Sequence, residues 1–324
     1  MKVLVTGGAG YLGSLLCDLL LRRGHDVRAF DCLMYGGRSL LGLAGRKGFE
    51  FVRGDTRDRG AVHKALGGCE AVVHLAAVVG DPACARQPEL AKEVNLGASL
   101  DLCAAAREAG VRRFVFASTC SNYGRMADTS ILATEEHDLR PVSLYAETKV
   151  AVEKHLLAAP SGPMAATVLR FSTLYGISPR MRFDLTVNEF VMEMIVRRKL
   201  VVFGEQFWRP YVHVRDAARA VALALEAPAG VGDGQVLNVG DTRENYRKAD
   251  LLELMERRIR GAAIERVHKA EDPRDYRVSF ERIRERLGFS VTRRVPDGIE
   301  EIAAALEGGL IDDPGQPAHY NVKP

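Results

Sequence analysis

The chain has 324 residues, of which 47% are hydrophobic and 27% charged, the composition of a globular protein large enough for one α/β domain or a domain plus a smaller lobe. Its net charge of +3 is too slight to argue for a nucleic-acid partner, and no apolar run reaches membrane-spanning length or reads as a signal peptide. The six cysteines, at 17, 32, 69, 84, 103 and 120, show neither CxxC nor Cys/His ligand spacing, which argues against a metal site or disulfide framework and for a reducing cytoplasm.

Lys2–Ser14 reads KVLVTGGAGYLGS. Val3, Leu4 and Val5 form a short apolar run without helical period, as in a buried parallel strand. Gly7, Gly10 and Gly13 follow, and a helical apolar pattern begins at Leu15 and Leu16. In that context the glycines allow a tight turn, close approach to a pyrophosphate and close helix packing, with free N–H groups at the helix start. An ordinary glycine-rich turn is the alternative. His25–Phe30 is the second predicted strand and ends in Asp31, 18 residues beyond Gly13. A carboxylate there accepts ribose hydroxyls and repels a 2′-phosphate, which favours NAD over NADP.

Glu50–Arg53 is a third strand, followed by Asp55, placed either against an adenine amino group or as a cap for the helix around Asp58–Leu66. Ala71–Leu75, the fourth, runs into HLAAVVGDPAC, small residues that let backbone approach a cofactor. Pro88–Ala109 reads as one long helix with Pro88 in its first turn and Asn95 near apolar positions. The fifth strand, Arg113–Ala117, leads into STCSNYG at 118–124. This alternation predicts a doubly wound parallel sheet of the Rossmann type, with ligands at the carboxyl ends of its strands. A polar loop over 125–141 precedes an amphipathic helix at Leu144–Ala159, and Ala166–Phe171 is the sixth strand. Beyond Tyr175 the predicted elements are a helix at Leu185–Arg198, a strand at Leu200–Phe203, a helix at Ala217–Leu225, a strand at Val236–Val239, and helices at Tyr246–Arg260, Phe280–Leu287 and Pro296–Leu306. Residues 1–175 are thus assigned to a nucleotide-binding domain to which the chain returns around 205–240, and 176–324 mainly to a smaller, mostly helical substrate lobe.

Tyr145 and Lys149 stand i, i+4, so a helix puts both on one face. A tyrosine with a free pKa of about 10 acts as a base near neutrality only if its phenolate is stabilised, which the Lys149 ammonium and an oxidised nicotinamide would do. Thr119, at the end of the fifth strand, would orient the same substrate oxygen.

The segments TGGAGYLG, HLAA, STCSNYG, YAETK and RPYVHVRD, with Asp31 between the first two, resemble the extended short-chain dehydrogenase/reductase family over roughly residues 2–220. Its nucleotide-sugar epimerases and dehydratases are the nearest in pattern. The resemblance implies NAD held by Gly7, Gly10, Tyr11, Leu12, Gly13, Asp31, Asp55, Thr56, Leu75, Ala76, Ala77, Asn95, Tyr145 and Lys149, with Thr119, Tyr145 and Lys149 catalytic. It implies a nucleoside-diphosphate sugar met by Cys120, Ser121, Thr173, Asn188, Arg209 and Arg274, of which Asn188 and Arg209 would hold the diphosphate; Arg274 reads equally as part of a solvated charge run. It further implies a homodimer built on the Pro88–Ala109 and Leu144–Ala159 helices. His213 reads as a buried structural residue.

Three positions depart from the pattern. Sugar 4,6-dehydratases carry an acidic pair where this chain has Cys120 and Ser121, so loss of water is disfavoured. Thr173 replaces an asparagine that contacts substrate, and Pro210 follows Arg209. Cys120 is either a pocket or structural residue or a catalytic thiol offset by one position from that of some epimerases. The expected activity is NAD-dependent epimerisation of a nucleoside-diphosphate sugar through a transient keto sugar. An NAD(P)H-dependent 4-ketoreductase is the alternative, and a cofactor-binding sensor without chemistry is the rival of another class.

Overall fold

The computed structural model describes residues 1–158, 163–228, 230–272 and 274–322. Twelve strands are described: β1 Lys2–Thr6, β2 Asp26–Asp31, β3 Phe49–Arg53, β4 Ala71–His74, β5 Arg113–Thr119, β6 Ala165–Phe171, β7 Thr173–Tyr175, β8 Lys199–Phe203, β9 Trp208–His213, β10 Gln235–Val239, β11 Asn245–Arg247 and β12 Ala263–Val267. The α-helices are α1 Tyr11–Arg22, α2 Arg59–Leu66, α3 Asp81–Arg86, α4 Pro88–Lys92, α5 Ala98–Glu108, α6 Leu144–Ala158, α7 Thr186–Met192, α8 Val214–Glu226, α9 Lys248–Arg258, α10 Glu281–Leu287 and α11 Val295–Glu307.

Seven strands form one sheet in the order β10-β6-β5-β4-β1-β2-β3, every pair parallel. The central strands are apolar on both faces because helices cover both: Val3, Val5 and Val73 share a core with Leu16 and Leu20 of α1 and Val221 of α8, while Leu4, Val72 and Phe116 pack against Leu102 of α5 and Val152 of α6. From β1 the chain goes first to β2 and β3 on one side, then crosses to β4 on the other. That reversal opens a crevice at the carboxyl ends of β1 and β4, where doubly wound sheets bind ligands.

Beyond β6 the chain builds β7, β9 and β11 into one small sheet and β8 and β12 into another, over a second core that includes Tyr175, Phe183, Tyr211, Leu251 and Ile299. Residues 235–239 go back to the main sheet, where β10 pairs with β6. The C-terminal third does not all join the second core: Tyr276, Val278, Phe280 and Ile283 pack in the first. They are tied there by Ala133, whose N–H donates to the Arg277 carbonyl at 2.8 Å and whose carbonyl accepts from Ser279 at 2.9 Å.

Two predicted helices contain a π turn. Pro88–Ala109 is α4, a π turn over Glu93–Gly97 and then α5, and Leu185–Arg198 is α7 followed by a π turn over Glu193–Arg197. Helix α9 starts at Lys248, not Tyr246, because Asp250 accepts the N–H of Arg247 at 2.8 Å and fixes the helix start there. Residue 159, the last of the predicted Leu144–Ala159 helix, lies outside the described residues. All six cysteines are free, and no described helix is long and apolar enough to cross a membrane.

Candidate active site

Gly7 adopts φ +71°, and a Cβ there would stand 2.8 Å from the Ala76 nitrogen; a Cβ on Gly13 would meet the Gly7 carbonyl oxygen at 2.1 Å. Any side chain at either position would therefore push β1, β4 and α1 apart. Helix α1 begins at Gly10 with no side-chain cap and no acidic residue in its first turn, so its first N–H groups face the crevice unneutralised. Asp31 accepts from the N–H of Ala9 at 3.0 Å and of Leu33 at 2.8 Å; burial raises its carboxyl pKa, and these two bonds oppose the rise. The carboxylate thereby joins the end of β2 to the glycine turn.

Asp55 lies on the rim of the same cavity. It accepts from the backbone N–H and the guanidinium of Arg57, and the bonds to that guanidinium lower its pKa. The cap of α2 is Asp58, which accepts from Ala61 at 3.0 Å. On the opposite wall, Leu75, Ala76 and Ala77 line the cavity. Behind them His74 bridges Thr6 at 2.7 Å and Ser99 at 2.9 Å; burial pushes it down to about 3, so it is neutral. Asn95 does not line the cavity. The π turn directs it inward, where it accepts from Val78 N–H at 2.7 Å and donates to the Val78 carbonyl at 2.9 Å. It holds the loop that carries Val78, itself a lining residue of the cavity.

The end of β5 and the face of α6 meet at the inner end of the cavity, where Thr119, Tyr145 and Lys149 all line the wall. The Thr119 hydroxyl accepts from Ser121 N–H at 3.1 Å. Lys149 Nζ donates to the Ala117 carbonyl at 2.8 Å and lies 5.8 Å from the centre of the Tyr145 ring. Burial pushes this lysine down to about 8. Burial raises the Tyr145 phenol, and the cation that chiefly opposes the rise is Arg182. Lys149 Nζ makes no direct hydrogen bond to the Tyr145 hydroxyl among the described residues; its charge lies beside the ring while one of its N–H groups holds the strand-end carbonyl.

One turn beyond Lys149, Glu153 anchors α6 to the sheet. Its side chain is 1% exposed and pairs with Arg170 of β6 at 2.7 Å. It also accepts from Asn122 at 2.8 Å and from the Ser118 hydroxyl.

Of the residues expected to meet substrate, Ser121, Thr173 and Arg274 line the cavity. Arg274 pairs with Asp81 at 2.9 Å. The other three are not among the lining residues. Cys120 is fully buried, with its Sγ donating to the Arg170 carbonyl at 3.2 Å, and burial raises its pKa; the thiol points away from the cavity that its neighbours face. Asn188 accepts from Gly176 N–H at 2.9 Å and donates to the Arg182 carbonyl at 2.9 Å, fixing the loop between them. Arg209 is bound in a buried ion pair with Asp272 at 2.9 Å. His213 is fully buried against Glu301 at 2.7 Å.

Arg180 and Arg182 line the cavity without having been singled out, and Tyr276, which with Arg274 and Arg277 of DPRDYRVSF reads from sequence either as reaching the nucleotide or as part of a solvated charge run, lines it too. The run PRMRFD shortly after YG, two arginines in an otherwise apolar segment, was the available signal for the first two. Tyr276 is brought in by its bond with Ser121 at 3.4 Å, a contact 155 residues apart in sequence. The acids on the cavity wall are Asp31 and Asp55, both at the nucleotide end. No cluster of potential metal ligands occurs among the described residues.

A model of the NAD dependent epimerase/dehydratase family matches residues 3–240. The chain is 30% identical to a UDP-glucose 4-epimerase of Corynebacterium glutamicum, over 96% of this chain and 97% of that protein. It is 32% identical to a dTDP-glucose 4,6-dehydratase of an Actinoplanes species, over 94% and 97%. The solved UDP-glucose 4-epimerase of Thermus thermophilus, in complex with NAD, matches with a TM-score of 0.82 at 30% identity, covering 95% of this chain and 99% of that one.

Proposed function

We propose that this chain, which belongs to the NAD-dependent epimerase/dehydratase family, interconverts epimers of a nucleoside-diphosphate sugar through a transient keto sugar. The observation that carries this is one cavity holding both the glycine cradle closed by Asp31 and, at its inner end, Thr119, Tyr145 and Lys149. The residues present fit NAD: the cradle excludes side chains at Gly7 and Gly13, Asp31 is positioned for ribose hydroxyls, and Leu75–Ala77 offer backbone. Bound NAD supplies the capacity to take a hydride from a sugar carbon and return it. The protein's part is proton transfer and positioning. Tyr145 takes the proton of the sugar hydroxyl and gives it back when the opposite face has been presented. Thr119 donates to the same oxygen, and Arg182, the cation that most lowers the Tyr145 phenol, favours its ionised form.

The wall beside Thr119 is built from Ser121, Thr173 and Tyr276 and carries no carboxylate. Elimination of water needs an acid and a base there, so epimerisation is favoured over the dehydration named for one of the relatives. The free cysteines support a reducing cytoplasm. Exposed Val142 and Leu157, next to and on α6, support a homodimer through the α4–α5 and α6 helices, with residues beyond Tyr175 serving mainly as the substrate lobe.

The test is incubation of the purified protein with uridine, guanosine, cytidine and thymidine diphosphate sugars without added cofactor. One sugar is expected to equilibrate with its epimer. Stoichiometric consumption of NAD(P)H with a 4-keto sugar would replace this reading by the reductase.

A further inference from the structure

Arg180 is a buried cation with no ion pair among the described residues. Its residue is 6% exposed, yet Nε and Nη2 have no hydrogen-bond partner among the described residues. The carboxylates whose charge reaches it are Asp184 and Asp31. Asp184 is engaged by Arg182 through two bonds at 3.1 and 2.6 Å, and both oxygens of Asp31 accept backbone N–H groups. Arg182 itself opposes the charge of Arg180, and burial pushes the guanidinium down to about 10. A guanidinium buried in a cavity wall with unpaired N–H groups favours an anion beside it.

The surrounding geometry says which anion. The loop that carries Arg180 is fastened to the start of α1: Tyr11 Oη donates to the Gly176 carbonyl at 2.6 Å, Ser178 Oγ donates to the Tyr11 carbonyl at 2.6 Å, and Ser178 meets Ser14 at 3.3 Å. Arg180 therefore follows, by two residues, the serine that is bound to the first turn of a 12-residue helix whose leading N–H groups lack a cap. Its guanidinium lies 4.1 Å over the ring of Tyr35, which follows Asp31 in the loop after β2. A planar guanidinium held flat by an aromatic ring presents its edge to phosphate oxygens.

We propose that Arg180 contacts the diphosphate of the bound dinucleotide, closing on it from the 176–184 loop while the α1 N-terminus holds it from the glycine turn. The proposal rests on the reading of this cavity as an NAD site. It makes Arg180 a cofactor-retention residue, suited to an enzyme that keeps one NAD through many turnovers.

The test is calorimetric titration of cofactor-free parent, Arg180→Gln and Arg180→Lys with NAD, ADP and adenosine. Arg180→Gln is expected to weaken NAD and ADP at least tenfold and to leave adenosine, which has no diphosphate, within twofold. Arg180→Lys keeps the charge and is expected to fall between. Equal loss for adenosine would mark a collapsed pocket, and unchanged NAD affinity with a raised KM for the nucleotide sugar would place the anion on the substrate; either overturns the proposal. A parent that fails to bind NAD would instead overturn the cavity assignment itself.

Discussion

Lys149 Nζ donates to the carbonyl of Ala117 at 2.8 Å, binding the i+4 partner of Tyr145 to the end of β5. The lysine thereby sets how α6 sits on the strand that carries Thr119. Its charge comes with a cost of burial, since the ammonium is pushed down to about 8 from 10.5.

The first prediction follows from that shift. Between those two values the unfolded chain binds more protons than the folded one, so stability rises with pH across that window. Below it the charged form carries the full penalty, on the order of 3 kcal/mol at about 1.4 kcal/mol per unit. Replacing Lys149 by methionine removes the titration. The stability of cofactor-free parent minus that of Lys149→Met should therefore move in the parent's favour from about pH 8 to pH 10. Urea unfolding at several pH values checks this, and a difference independent of pH would refute it.

Tyr145→Phe removes only the phenolic oxygen. It is expected to lower turnover by about 10²–10⁴ while leaving NAD affinity within a fewfold of the parent. Epimer formation followed by proton NMR, with calorimetry for cofactor binding, separates the two effects. Activity within a fewfold of the parent would remove Tyr145 from the acid/base role.

Asp31→Ala should relax the preference for NAD over NADP. The carboxylate that would repel a 2′-phosphate also ties Ala9 to Leu33, so NAD affinity falls as well. Parallel titrations of both cofactors decide it; a parent with equal affinity for the two would sink the argument.

The ion pair between Glu153 and Arg170 is buried on both sides, with side chains 1% and 4% exposed. Breaking such a pair leaves a charge without compensation, a loss of about 3–5 kcal/mol. Glu153→Ala should show it as a lower urea midpoint. Because Glu153 lies on the α6 face of Tyr145 and Lys149, kcat should fall more than KM changes.

Solvent isotope distinguishes the chemistry. In deuterated water the epimer should form without carbon-bound deuterium and without net NADH, because the hydrogen removed from the sugar carbon is the one returned. Deuterium beside the reacting carbon, seen by mass spectrometry, would show enolisation and demand an acid/base other than Tyr145. Fully buried Cys120 is ill placed to supply one.

The nucleotide-binding half was legible in the sequence because its determinants are local. A strand with both faces buried is a short apolar run, a glycine where a Cβ would strike backbone has no substitute, and a carboxylate at the end of β2 stands at a fixed distance along the chain. Tyr145 and Lys149 share a face by helical periodicity alone. What the tertiary structure decided are facts of position between distant segments. It kept Cys120, Asn188 and Arg209 out of the cavity lining, because neighbours remote in sequence claim their polar atoms. It turned Asn95 inward through a π turn that no periodicity marks, and it brought Arg182, remote in sequence, near enough for its charge to oppose the rise in the Tyr145 phenol pKa. It also left Arg180 buried over Tyr35 with no ion pair among the described residues. The partners that compensate a charge, or fail to, come from loops brought together only when both cores have formed.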